Sequence, residues 1–295
     1  MITNMNFYHS FLQMNTIFIS IVVEALPFIL IGVFISGIIQ IFITEEMLYK
    51  IIPKNRYLAV LVAILLGFIF PGCECGIVPI VSRLIKKGVP HYVAVAFMLT
   101  GPIINPIVLF ATFIAFGNSI QMVIYRAGAA MIVAYIIGIV LSYLKIDNPL
   151  KNNLVTIPVD NSVPVKKKLW SVCVHAIEEF FSMGKFLILG AFIAAFVQTF
   201  IPTATLMHIG NGQVASILVM MALAFILSLC SEADAFVASS FLSTFSLNSI
   251  VAFMVVGPMI DIKNTLMLFQ HFKSRYVLII IGLVISLTFI TTLLI

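Results

Sequence analysis

Residues 95–104 read VAFMLTGPII, and residues 251–260 read VAFMVVGPMI. Seven of the ten positions are identical at an offset of 156. Residues 30–43 match residues 188–201 at an offset of 158, with six of fourteen positions identical, among them Gly32/Gly190 and Gln40/Gln198. A third pair, Cys73-Glu74-Cys75 and Cys230-Ser231-Glu232, falls at an offset of 157. Three matches at nearly one offset define an internal duplication. Each copy carries a Gly-Pro inside an apolar run, Gly101-Pro102 and Gly257-Pro258. Proline removes a backbone donor and clashes with the preceding turn, so both runs are expected to be broken helices. Duplicated broken helices are the sequence pointer to a solute site between two transmembrane repeats.

Composition supports the same reading. Of 295 residues, 62% are apolar and only 9% charged, with a mean hydropathy of +1.20. An ordinary soluble domain carries about 25% charged residues. This excludes a soluble enzyme, a nucleic-acid-binding domain and a disordered chain. What remains is an all-α, polytopic helical bundle in a lipid bilayer. The net charge of +5 is what membrane-flanking loops supply.

Apolar runs give about eight spans, or ten if re-entrant pieces near 73–90 and 230–248 are added. Tyr57 to Leu84 reads as one discontinuous span, interrupted at Pro71 and Gly72, with a half-helix followed by a re-entrant piece as the alternative. The organisation expected is a first repeat over 1–144, a polar basic linker over 145–170 and a second repeat over 171–295. Eight spans place both termini and the linker on one side, together with Arg83, Lys86, Lys87, Lys145, Lys151 and Lys166 to Lys168. Arg126 then counts with the loops of the other side. The balance of Lys and Arg makes the linker side cytoplasmic. An odd number of spans per half would invert the repeats.

A carboxylate at the centre of a membrane helix costs about 2.5–3.5 kcal/mol on the insertion scale, so such residues face a cavity or a partner. Glu24, Glu74, Glu232, Asp234 and Asp261 all lie in apolar context, and Lys185 and Lys263 are the intramembrane cations. On a helix Lys263 would not share a face with Asp261, two residues away. Glu24 and Lys263 read equally well as interfacial or structurally paired residues. The candidate substrate-binding set is Cys73, Glu74, Cys75, Asn105, Cys230, Glu232, Asp234 and Asp261, with breaks at Pro71, Gly72, Gly101, Pro102, Gly257 and Pro258. Asn105 and Asp261 follow the Gly-Pro breaks at equivalent places. Cys73 and Cys75 would point the same way on extended backbone, and thiolates select soft or borderline metals, so these two are the metal-ligand candidates. Cys173, alone in a Val-rich stretch, reads as packing. No catalytic residue and no resident cofactor is expected. HExxH, GxSxG, CxxC and the Walker A pattern are all missing from the sequence.

FPGCECGIVPIVSRLIKKGVP with GPIINP, and LCSEADAFVASSF with VGPMIDI, resemble bacterial predicted permeases of the YraQ/YcgR type. That group includes the ArsP-like organoarsenical efflux permeases. The resemblance extends from Glu24 to the last span. It implies a multi-pass inner-membrane permease and, in some members, a second, separately encoded membrane subunit. It does not single out arsenicals, because both cysteine motifs are family-wide. The expected function is movement of a small solute, with metal ion, metalloid or organoarsenical efflux as candidates, by a secondary transporter or a subunit of a two-component permease. The competing readings are an intramembrane thiol-redox protein and a non-transporting subunit of a membrane complex.

Overall fold

The computed structural model describes residues 2–42, 52–70, 74–144, 146, 148–151, 165–200, 212–242 and 244–295. Twelve helices lie among these residues, six in each half. They are α1 (Ile2–Phe42), α2 (Arg56–Ile69), α3 (Glu74–Lys86), α4 (His91–Ile104), α5 (Pro106–Ala115) and α6 (Ile120–Tyr143), then α7 (Val165–Phe200), α8 (Gln213–Leu227), α9 (Ser231–Ser240), α10 (Leu247–Met259), α11 (Ile262–His271) and α12 (Ser274–Leu293). The order of long, short and broken elements repeats, so each helix of the first half has its counterpart six places later.

Six stretches among the described residues are long and apolar enough to span a bilayer. They are Ser10–Ile39, His91–Ala115, Ile120–Tyr143, Ala176–Phe200, Leu247–His271 and Ser274–Leu293. Helices α2 and α8 hold 14 and 15 residues. At about 1.5 Å per residue neither crosses a hydrocarbon core of about 30 Å.

The contacts show what these short helices do. At the start of α2, the Tyr57 hydroxyl lies 2.7 Å from that of Tyr143, and Arg56 stacks over the Tyr143 ring, so α2 begins beside the end of α6. Near its other end, Gly67 abuts Thr100 and Gly101, well inside the α4–α5 span. Helix α3 starts at that depth and returns. It ends five residues before His91, whose Nδ1 is 3.0 Å from the Tyr276 hydroxyl at the start of α12. Helices α2 and α3 therefore form a re-entrant hairpin that enters and leaves by one face. The second half mirrors it from the opposite face. Ser216, near the start of α8, is 2.7 Å from Ser249, near the start of α10. Ser228, at the end of α8, meets Lys263 at depth, and α9 leads back to α10.

Each half thus has three spans and one hairpin, and the odd number inverts the halves. Helix α1 runs alongside α3 in the same direction, with Gly32 against Gly76 and Ser36 near Pro79. Helix α7 runs against α11, with Gly190 on Lys263 and Ser182 bonded to Gln270. Helices α3 and α11 both end at the face where residues 149–151 bond to residues 271–273. This is the linker face, and the termini lie on the other, terminal face. Among the described residues, the expectation of about eight spans, with Tyr57 to Leu84 as one discontinuous span and termini and linker together, gives way to six spans with termini and linker apart. The physical reason is that the runs on either side of residues 71–73 turn back rather than continue.

The charge count changes with the topology. Lys54, Arg56, Arg83, Lys86, Lys87, Lys151, Lys273 and Arg275 all stand towards the linker face, and Lys166 to Lys168 open α7 there. Among the described residues none stands on the terminal face; Arg126, Lys185 and Lys263 lie within spans.

The core is made by the broken spans: 72% of the α4–α5 window and 89% of the α10–α11 window are buried, against 28% for α1. Helix α1 adheres through close backbone approach. A Cβ on Gly32 would overlap the Gly76 carbonyl oxygen, so only glycine permits this approach.

Candidate functional site

Both broken spans resume the same way. Helix α4 continues through Gly101 and Pro102 and ends at Ile104; α10 continues through Gly257 and Pro258 and ends at Met259. The breaks therefore fall two or three residues beyond each Gly-Pro. Asn105, in extended conformation, then caps α5, its Oδ1 accepting from the Val108 amide at 2.9 Å. Asp261, also extended (φ −140°, ψ 178°), caps α11 and accepts from the Asn264 amide at 2.5 Å. An N-cap oxygen satisfies one of the orphan donors of a helix start. A re-entrant tip abuts each break, since α3 packs on α11 and α9 packs on α5.

At the first tip, Glu74 opens α3 and is fully buried. Its Oε1 lies 3.0 Å from Lys263 Nζ, and its Oε2 accepts from the Ser231 hydroxyl at 3.2 Å. Lys263 Nζ also lies 2.8 Å from Asp261 Oδ2 and donates to the Ser228 carbonyl at 2.8 Å. Lys263 thus pairs with Asp261, against the expectation that they would not share a face. That expectation took Asp261 as helical. It is the extended N-cap before α11, outside the helical spacing, so its carboxylate both caps the helix and reaches the Lys263 ammonium.

At the second tip, Asp234 on α9 receives Arg126 of α6 at 2.8 and 3.1 Å. Arg126 also donates to the Ser231 carbonyl at 2.9 Å and to the Thr112 hydroxyl on α5 at 2.7 Å. Sequence reasoning counted Arg126 as a loop cation, whereas it is fully buried. Being the one cation in an otherwise uncharged 24-residue apolar helix was the available signal. Beside this pair, Cys230 Sγ lies 2.9 Å from Glu232 Oε2.

A continuous chain therefore crosses the molecule: Asp234, Arg126, Ser231, Glu74, Lys263, Asp261. It contains both hairpin tips and holds three carboxylates against two cations. A buried charge survives only when paired, and the Glu74–Lys263 and Arg126–Asp234 pairs each link different helices. Glu74 and Ser231 are repeat equivalents at an offset of 157, so their contact marks the pseudo-two-fold axis. Ser231, Ser228 and Thr112 were missed as single residues; for Ser231 the repeat offset was the signal.

Of the sequence candidates, Glu74, Asp234 and Asp261 belong to this chain. Cys75 and Cys230 are buried and line a small cavity with Glu74 and Lys263. Glu232 is beside it through Cys230, and the hydrogen bonds of Asn105 are local to its own break. Cys73, Pro71 and Gly72 lie outside the described residues. Among the described residues, no group of three or more His, Cys, Asp or Glu is arranged to hold a metal ion.

An inverted pair of broken-helix repeats, joined at depth by a buried ionic chain, defines the scaffold of a membrane permease. The chain belongs to the ArsP-type predicted permease family, whose pattern it matches over residues 10–295. It is 57% identical to the UPF0718 protein YcgR of Bacillus subtilis, over 97% of this chain and 98% of that one. It is 47% identical to a putative two-component membrane permease complex subunit of Streptococcus mutans, over 92% and 91% of the two chains. No solved structure matches it. It is a multi-pass protein of the cell membrane.

Proposed function

We propose that the chain is a secondary transporter that moves a small thiophilic solute, a soft metal ion, metalloid or organoarsenical, past the meeting point of its two hairpin tips. The observation that carries this is the Glu74–Ser231 contact across the inverted repeats, with an ionic latch on either side. The Glu74–Lys263–Asp261 latch holds the first hairpin, which opens to the linker face. The Asp234–Arg126 latch holds the second, which opens to the terminal face. Releasing one latch while keeping the other exposes the centre to one face at a time, which is alternating access in an inverted repeat. Protons are the natural latch breakers, because a protonated carboxyl no longer balances its cation. Cys75 and Cys230 supply soft ligands beside the path, and Cys73 is the third candidate. The Lys and Arg collected on the linker face support its being cytoplasmic. The Streptococcus mutans relative is named as a subunit of a two-component complex, and we extend a second membrane subunit to this chain as partner.

Flux into proteoliposomes tests the reading, with Zn²⁺, arsenite and a trivalent methylated arsenical as probes under an imposed pH gradient. We expect gradient-driven movement of at least one probe, abolished by Glu74→Gln, which removes a titratable group at constant volume. Equal flux of every probe in empty and loaded vesicles, with and without the gradient, rejects it.

A further inference from the structure

Glu24 has no place in that latch scheme. It lies at the middle of the Ser10–Ile39 span, with an exposed side chain and no ion pair or hydrogen bond to a described residue. On one side of it along the helix Ser20, Val23, Pro27 and Ile31 are exposed, and on the other Ile21, Ala25 and Phe28 are buried or half-buried, so Glu24 stands at the edge where α1 passes from open surface to packed core. A carboxylate set in a membrane helix at such an edge is costly to place, so it calls for a functional reason.

The same residue also borders the small cavity that reaches Glu74, Cys75, Cys230 and Lys263. Measured to the centre of a water-sized sphere, the cavity is about 10 Å³, close to the minimum for one water molecule. Polar groups line it on two sides, so a water there has partners. At the offset of 158 that relates α1 to α7, the counterpart of Glu24 is Ser182, a neutral residue that accepts from Gln270 at 2.7 Å. The carboxylate is therefore present in one half alone.

We propose that Glu24 is a lateral proton port: its carboxyl takes up a proton at the bilayer-facing edge of α1 and exchanges it with Glu74 through a single water in this cavity. In the exchange, the Glu24 O–H bond breaks, the water accepts that proton and gives one of its own to Glu74, and the Glu74–Lys263 latch loses its negative partner. The titratable groups sharing the cavity are Glu74, Cys75, Cys230 and Lys263. On α7, packed along α1, Glu178 and Lys185 are exposed. The port rests on the permease reading for its use, but its access and protonation are testable without transport.

The test is labelling of the full chain in native membranes with dicyclohexylcarbodiimide, a lipid-soluble reagent, and with a water-soluble carbodiimide, read by peptide mass spectrometry. A protonated carboxyl adds across the carbodiimide to an O-acylisourea, which rearranges to a stable N-acylurea; the whole reagent is retained and nothing leaves. Glu24 is expected to be labelled by the lipid-soluble reagent, increasingly as pH falls, and not by the water-soluble one. Labelling should be lost in Glu24→Gln and kept in Glu24→Asp. In proteoliposomes carrying whichever probe moves, Glu24→Gln should lose pH-driven flux and Glu24→Asp retain it. No labelling of Glu24 in native membranes overturns the port, as does labelling only after purification, which would mean that another chain covers this face. Unchanged flux in Glu24→Gln also overturns it and leaves the permease reading intact. Absence of flux in the unsubstituted protein would instead fail the permease reading, and the labelling would still decide access.

Discussion

The two re-entrant hairpins share a shape and differ in how they are held. The first is tied through its leading residue, Glu74, to a lysine on the broken span it abuts. The second is tied one turn into its returning helix, through Asp234, to an arginine on α6. The repeat counterparts of Arg126 and Asp234 are uncharged, Gly282 at offset 156 and Ile77 at offset 157. Duplication therefore set the backbone, and later divergence placed the charges. The lesson is that a symmetric scaffold does not oblige symmetric chemistry: lysine, a compact ammonium shared among oxygens, suits a latch that trades partners, whereas the planar arginine fork suits one that holds.

The largest expected effect breaks the second latch. Arg126→Leu leaves Asp234 buried without its partner and should lower stability by about 3–5 kcal/mol. Arg126→Leu with Asp234→Leu should recover most of that loss, because an apolar pair needs no compensation. Thermal unfolding of the purified protein in detergent measures both. Equal melting of Arg126→Leu and the unsubstituted protein would show that this pair does not hold the hairpin.

A second experiment separates the two faces. With Cys173 changed to Ser, a membrane-impermeant maleimide is added to sealed vesicles of either orientation, and Cys75 and Cys230 are read by mass spectrometry. Lys263→Met should raise labelling from the linker face, and Asp234→Asn from the terminal face. Labelling that rises from the same face in both variants would mean the hairpins do not gate separately.

The smallest effect sharpens the comparison at the caps. Asn105→Ala removes a local N-cap and should cost about 1 kcal/mol. Asp261→Ala removes the same kind of cap and also a partner of Lys263, so it should cost more. Equal losses by thermal unfolding would show that the Asp261–Lys263 contact adds nothing to the fold.

Much of this architecture was legible in the sequence. The offsets near 157 revealed the duplication, and Gly101-Pro102 and Gly257-Pro258 foretold the broken spans. The hairpins were one of two open readings, because an apolar run over 57–84 with an interruption fits a discontinuous span as well as a half-helix and a re-entrant return. Direction after an interruption is decided by what packs against each arm, here Tyr143 on one and the α11–α12 junction on the other. Span number, orientation and the sides of the cations all followed from that one ambiguity. Within the site, isolated carboxylates could be picked out because charge in hydrocarbon is costly. Their partners could not, since Arg126 meets Asp234 across 108 residues and Lys263 meets Glu74 across 189.

The contact on the pseudo-two-fold axis has a bearing on ancestry. In a dimer of two identical half-length chains, the positions now occupied by Glu74 and Ser231 would carry one residue type facing itself. Two glutamates meeting on a dry axis would repel, and neither could stay ionised beside the other without further compensation. Two serines would bond to each other but offer no anion to Lys263. A glutamate bonded to a serine, with a lysine on one flank only, needs halves of different sequence, which joining them in a single chain leaves free to diverge. Gene fusion here did more than fix stoichiometry, because it permitted a charged residue to occupy the axis itself.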